Sequence, residues 1–359
     1  MATKDDIIKI LSQIEDPELR KPLTELDMVR SIEIDRGMVT IGINLTIPGC
    51  PLKKKISEEV VQGVSRLEGV EKVMVEFTAM TEERRKKLMA KLYESRGGTA
   101  STADGQTQPV NAGDFAARII AVASGKGGVG KSTVTSNLAA VLGQRGYKVG
   151  VLDADVYGFS IPRILGMEGK PTMIDDHIVP LRKDNLQVIS MGFFVEEDAP
   201  VIWRGPLLHK AINQFLTDVL WDKCDFLFLD LPPGTGDVTL TIAQSLPRAE
   251  LLVVTTPQPV ASHTAGRVAK LAEKTNLRVI GVIENMSYYE SNGAKEYIFG
   301  KDGGKALAMA LKVPFLGEIP IKTEIREASD MGMPIALSNH AEIAQYYQEI
   351  ADNIQSRVY

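Results

Sequence analysis

One stretch limits the fold more than any other. It is Ser124-Gly125-Lys126-Gly127-Gly128-Val129-Gly130-Lys131-Ser132-Thr133, set between the apolar run Ile119-Ile120-Ala121-Val122-Ala123 and a helical pattern from Val134 to Arg145. A glycine-rich turn joining a buried strand to a helix aims successive backbone N–H groups and the positive helix end at one point, so it cradles a polyphosphate. The spacing Gly125-x4-Gly130-Lys131-Ser132 is the Walker A pattern. It assigns the cradle to Gly125 through Thr133, with Lys131 neutralising the β- and γ-phosphates of ATP and the Ser132 hydroxyl on Mg2+.

Downstream, strands at 147–152, 226–231, 251–255, 278–283 and 315–319 alternate with helical stretches. That alternation predicts an α/β fold: a mainly parallel sheet covered by helices, with ligands beyond the carboxyl ends of the strands. Asp230 closes the run Phe226-Leu227-Phe228-Leu229 and takes the Walker B position, where a carboxylate holds the Mg2+ shell. Asp153 and Asp155 end the preceding strand. One suits a water-mediated metal contact and the other the orientation of the attacking water, and spacing alone leaves both assignments open. Gly234-Thr235-Gly236 reads either as a segment that moves when a γ-phosphate is lost or as a plain turn.

At 359 residues the chain exceeds a comfortable single core, so two domains are expected. A net charge of −5 offers no general attraction to nucleic acid or to an anionic membrane. Only two cysteines occur, Cys50 and Cys224, which excludes a disulfide scaffold and suits a reducing compartment. The opening Met-Ala-Thr-Lys-Asp-Asp has no apolar signal core, and no apolar run approaches the ~20 residues of a membrane span, so a cytoplasmic protein is expected.

Residues 1–94 read as a small α+β domain of order α-β-β-α-β-α, with helices at 5–13, 52–67 and 81–93 and strands at 29–34, 38–47 and 70–77. Thr46-Ile47-Pro48-Gly49-Cys50-Pro51 is its chemically suggestive point, because Cys50 sits where a helix end and Lys53-Lys54-Lys55 favour a thiolate. Soft-metal or redox chemistry is one reading, and a small residue in a tight loop is the other. Asp16-Pro17-Glu18 reads equally as a nearby carboxylate source or as a helix-ending turn. Residues 95–114, rich in Ser, Thr and Gly, read as a flexible tether to the nucleotide domain at 115–359.

Asp16-Pro17-Glu18 together with Thr46-x-Pro-Gly-Cys-Pro51 resembles the SufT/PaaD-type domain linked to iron–sulfur protein maturation. Lys126-Gly127-Gly128-Val129-Gly130-Lys131-Ser132 resembles the deviant Walker A of the MinD/ParA/nitrogenase-iron-protein class. That resemblance implies a homodimer sandwiching two nucleotides, with Lys126 reaching the partner's phosphates and Gly128 leaving room for close approach. Leu152-Asp153-Ala154-Asp155-Val156-Tyr157-Gly158, Trp203-Arg204-Gly205-Pro206, Asp230-Leu231-Pro232-Pro233-Gly234-Thr235-Gly236-Asp237, Thr256-Pro257-Gln258 and Glu284-Asn285-Met286-Ser287 are similar to the Mrp/ApbC branch of iron–sulfur cluster carrier ATPases. By that similarity Asp155 positions the attacking water, Asp153 supports Mg2+ and Asn285 contacts adenine. From the residues alone, Asn285 is a polar residue after a strand, equally a turn former.

One departure stands out. Carriers of this branch usually place Cys-x-x-Cys shortly after the Asn-Met-Ser-Tyr segment, whereas here residues 288–297 read Tyr-Tyr-Glu-Ser-Asn-Gly-Ala-Lys-Glu-Tyr. Four thiolates are the common set for a cluster, so its ligands would come from Cys50, from Cys224 or from a partner. Cys224 itself reads as a buried structural thiol. The leading expectation is an ATP-hydrolysing, homodimeric iron–sulfur carrier or assembly factor serving apo iron–sulfur clients or a scaffold. The competing one is a MinD/ParA-like switch that binds a protein partner and carries no cluster.

Overall fold

The computed structural model describes residues 2–46, 52–95, 117–156, 158–194, 205–234, 237–291 and 293–356. The chain forms two compact units: Met1–Gln108 with Thr172–Val179, and Pro109–Pro171 with Pro180–Tyr359. Cys50, Trp203, Arg204, Thr235, Gly236 and the tether from 96 to 114 lie outside the described residues.

In the first unit, α1 (Lys4–Leu11) starts at a capping box. The Thr3 hydroxyl accepts from Asp6 N at 3.2 Å, and the Asp6 carboxylate accepts from Thr3 N at 3.0 Å. β1 (Val29–Asp35) and β2 (Met38–Leu45) form an antiparallel hairpin whose turn, Arg36 at φ 46° and Gly37 at φ 84°, is left-handed as a two-residue hairpin loop requires. α2 (Lys53–Val64), β3 (Lys72–Ala79), parallel to β2, and α3 (Glu82–Ser95) complete the expected order. Ile7, Leu11, Ile41, Ile43, Ile56, Val60 and Val64 are fully buried between helices and sheet. Asp16 is buried in a turn, its carboxylate accepting from Glu18 N and Leu19 N, but α1 has already ended at Leu11, so Asp16-Pro17-Glu18 is a separate turn and not the end of that helix.

The second unit runs β4 (Arg118–Ser124), α4 (Lys131–Gln144), β5 (Val149–Asp153) and α5 (Ile161–Leu165). After β6 (Thr172–Ile174) and β7 (His177–Val179), a hairpin grouped with the first unit, it resumes with β8 (Leu181–Lys183), β9 (Leu186–Ser190), α6 (Gly205–Thr217) and β10 (Phe226–Asp230). There follow α7 (Asp237–Ser245), β11 (Glu250–Thr255), α8 (Pro259–Lys274), β12 (Arg278–Ser291), β13 (Ala294–Glu296), α9 (Gly303–Leu311), β14 (Phe315–Ile321), α10 (Thr323–Asp330) and α11 (Ala341–Gln355).

The sheet order is β13-β12-β11-β4-β10-β5-β9-β8, with β14 also paired to β12. Every pair is parallel except β12 with β13 and β8 with β9. Runs such as Ile119-Ile120-Ala121-Val122 and Leu227-Phe228-Leu229 are buried along their length, as strands covered on both faces must be. The fold is therefore the expected α/β architecture behind a small α+β region. Besides the short strands β6, β7, β8 and β13, which were not expected, two details differ from expectation. β9 adds a parallel strand beside β5, and β12 continues past residue 283 because a kink at Met286, φ 56°, lets it keep pairing with β14 beyond the irregularity. Among the described residues no helix is long and apolar enough to cross a membrane.

Candidate functional site

β10 and β5 end level, so Asp230 faces Asp153, which in turn faces Ser190 of β9; on its other side Asp230 faces Val122, two residues before β4 ends at Ser124. Asp230 is wholly buried, and three groups converge on its carboxylate. Lys131 Nζ lies 2.6 Å from Oδ2, the Ser132 hydroxyl donates to the same oxygen at 2.6 Å, and the Thr135 hydroxyl donates to Oδ1 at 2.8 Å. Lys131 is itself only 6% exposed, so each charge is matched by the other where water cannot reach. Thr135 is absent from the sequence reading. Its signal was available, since it lies four residues after Lys131 on the same face of α4 and its hydroxyl also donates to Lys131 O at 3.0 Å. The hydroxyl and carboxylate oxygens of Ser132 and Asp230 are the hard donors that Mg2+ takes alongside water and phosphate, so the residues fit that ion.

The loop itself spans the gap from β4 to α4. Gly125 passes against the backbone of Ala265 in α8, Gly127 lies beside Pro233, and Val129 is buried. Gly128, at φ 77°, has open space where a Cβ would stand, whereas at Gly130, φ 79°, the Asn285 amide nitrogen already fills that place. Asn285 lies within β12 rather than after a strand, and its Nδ2 donates to Val129 O at 2.9 Å. Thr133 O accepts from Asn137 Nδ2 at 2.8 Å, which fixes the first turn of α4. Lys126 Nζ donates to Gln258 Oε1 at 2.5 Å, just ahead of α8, and Lys126 O accepts from the Ser124 hydroxyl.

Asp153 has a different neighbourhood. Oδ1 accepts from Asp155 N at 3.2 Å, while Oδ2 accepts from Ser160 N, Ile161 N and the Ser190 hydroxyl at 3.2, 3.3 and 3.0 Å. Burial, and then the negative charge of Asp230, push its carboxyl up to about 7 against the opposing pull of Lys131, the Ser190 hydroxyl and the Asp155 N–H. Asp155, almost buried, accepts from Gly158 N at 3.2 Å. Ser190 escaped the sequence reading because β9 did.

The structure thus brings Lys131, Ser132, Asp153, Asp155 and Asp230 to one edge and sets Lys126 and Asn285 on the loop's flanks. It does not bring Cys224 there. Cys224 is buried with its Sγ 3.3 Å from Gln187 Nε2, so it is a packed thiol and is withdrawn as a cluster ligand. At the segment without cysteines, Tyr288 and Tyr346 pair through their hydroxyls at 3.1 Å and Lys295 lies over the Tyr288 ring. Among the described residues no group of three or more His, Cys, Asp or Glu could hold a metal ion.

Comparison with known proteins agrees with this geometry. Residues 116–355 match the family model described as NUBPL iron-transfer P-loop NTPase, and residues 4–77 match one described as iron-sulfur cluster assembly protein. The iron-sulfur cluster carrier protein of Mycobacterium tuberculosis (strain ATCC 25618 / H37Rv) is 45% identical over 97% of this chain and 92% of its own length. That of Bacillus subtilis (strain 168) is 41% identical over 100% and 99%. Among solved structures, the nucleotide-binding protein of Archaeoglobus fulgidus in complex with ADP aligns at 39% identity and a TM-score of 0.53, covering 60% of this chain and 86% of that one. The Pyrococcus furiosus cell division ATPase MinD shares the fold at a TM-score of 0.51 and 24% identity, covering 67% and 99%. A phosphate loop built on a parallel sheet, an iron–sulfur assembly domain ahead of it and full-length similarity to carriers lead to one conclusion: the chain belongs to the iron–sulfur cluster carrier family of P-loop NTPases.

Proposed function

We propose that the chain is an Mg2+-dependent ATP hydrolase that works in the cytoplasm as a nucleotide-switched homodimer and carries or assembles iron–sulfur clusters for apo-protein clients. The observation that carries the reading is the convergence of Lys131, Ser132 and Thr135 on buried Asp230 at the sheet edge. Lys131 and the N–H groups from Gly125 to Thr133 bind the phosphates, and Ser132 and Asp230 hold Mg2+, with Asp153 behind them. Bound there, Mg2+ would supply neutralisation of charge that develops on the phosphates. Asp155 orients the attacking water, Lys126 reaches the partner's phosphates, and Asn285 lies near the base. Likeness to an ADP-bound relative supports the nucleotide. The carrier relatives support the cargo, for which Cys50 is the remaining ligand of this chain.

The test is anaerobic reconstitution with iron and sulfide, followed by absorbance spectroscopy and ATP-dependent transfer to an apo-ferredoxin-type acceptor. A cluster that forms on wild type and is lost in Cys50→Ser is expected. Lys131→Ala should weaken nucleotide binding at least about hundredfold by calorimetry, since a charge-assisted phosphate contact at a water-poor site goes with it. No cluster on wild type would favour the second reading, a MinD/ParA-like switch for a protein partner. The cysteine-free segment at 288–297 and the burial of Cys224 speak for that alternative.

A further inference from the structure

Asn285 reaches the phosphate loop from two strands away. Val254 of β11 pairs with Ser124, the last residue of β4, on one side and with Ile283 of β12 on the other. Asn285 therefore stands two residues beyond the level at which β4 ends, over the sheet edge where the loop begins. The next residue, Met286, adopts φ 56°, an unusual conformation for a non-glycine, and β12 slips register there. At that irregularity the buried amide donates to Val129 O at 2.9 Å, and Gly130 fits only because it has no Cβ to meet the same nitrogen. A trans peptide is planar, with C=O and N–H on opposite sides. Turning the Val129 carbonyl toward β12 therefore directs the Gly130 N–H away from it.

The geometry points to Asn285 as a positioning residue: it sets the Val129–Gly130 peptide so that the Gly130 N–H faces the bound phosphates, whatever base is attached. The inference rests on reading this loop as a phosphate site, and it differs from a contact with adenine because its effect follows the phosphates alone. Calorimetry of the full chain with Mg2+ plus ADP, GDP or inorganic tripolyphosphate separates the two. Asn285→Ala is expected to weaken all three by a similar factor, about tenfold, as loss of one buried hydrogen bond implies. Asn285→Asp keeps the size but offers no N–H, and is expected to do the same while unfolding cooperatively like wild type. A loss confined to ADP, or unchanged tripolyphosphate binding in both variants, overturns the positioning role while leaving the nucleotide site intact. A wild-type chain that binds neither nucleotide nor tripolyphosphate overturns the phosphate site itself, and this inference with it.

Discussion

The two lysines of the phosphate loop stand five residues apart and meet opposite surroundings. Lys131, almost wholly buried, is fixed on a fully buried carboxylate that two hydroxyls also bind. Lys126, two residues past the end of β4, is held by a neutral amide, Gln258 Oε1. A cation buried with its counter-charge cannot leave without stranding that charge, so another cation must take its place on the carboxylate while another anion receives it. A cation on an amide is freed by exchanging one hydrogen bond for another, at small net cost. The inner half of the loop is thus built to stay, and the outer half to let go.

The sharpest way to break that contrast is to remove the fixed lysine's counter-charge. Asp230→Ala leaves Lys131 charged and unpaired in the interior, and should cost about 3–5 kcal/mol of unfolding free energy in urea titrations. Gln258→Ala should cost about 1 kcal/mol in the same assay, since it removes the hydrogen bond from Lys126 and only a long one, 3.4 Å, from the Thr256 hydroxyl. Equal losses in the two variants would show that burial of the pair does not distinguish the lysines.

The next effect concerns pH. Asp153 binds its proton more tightly in the folded chain, at about 7, than at its ordinary 3.8. Folding therefore takes up a proton between those values, and this group's contribution to stability falls as pH rises through that window and levels off above it. Lys131 opposes the shift. Lys131→Met should raise the folded value further and carry the decline beyond neutrality. The wild-type-minus-variant difference in stability should then grow between about pH 7 and 8 by no more than ~1.4 kcal/mol, the limit for one proton over one unit. A difference that stays flat across that interval would mean Lys131 does not reach Asp153 electrostatically.

Much of this was legible beforehand, for reasons that can be named. The loop, Asp230 and the parallel sheet are local signals, each an apolar run followed by glycine or carboxylate at a fixed distance. Thr135 was within reach of the same logic, being one helical turn past Lys131. Ser190 was less so: Leu186-Gln187-Val188-Ile189 after Asp184-Asn185 has the look of a short strand, but only its pairing with β5 sets Ser190 opposite Asp153. Asn285 was found by resemblance, but its bond to Val129 O could not be, since it depends on register across β11 and on a backbone kink at Met286. Gln258 likewise gains its meaning only when the start of α8 lies beside the loop.

The smallest effect tests the outer half of the loop. If Lys126 works across a dimer, its bond to Gln258 competes with that reach, because one ammonium cannot serve both the amide of its own chain and the partner's phosphates in full. Gln258→Ala removes the competitor, so in an Asp155→Ala background, which the proposed role of Asp155 expects to slow hydrolysis, the ATP-dependent dimer should form at about threefold lower protein concentration, the yield of one exchanged hydrogen bond. Gln258→Glu offers a carboxylate instead, which holds the ammonium more strongly and should shift assembly the other way. Sedimentation velocity with Mg2+ and ATP reads both variants against the same background. Assembly that is indifferent to both substitutions, or that tightens when the carboxylate replaces the amide, would mean Lys126 does not leave its own chain when nucleotide binds.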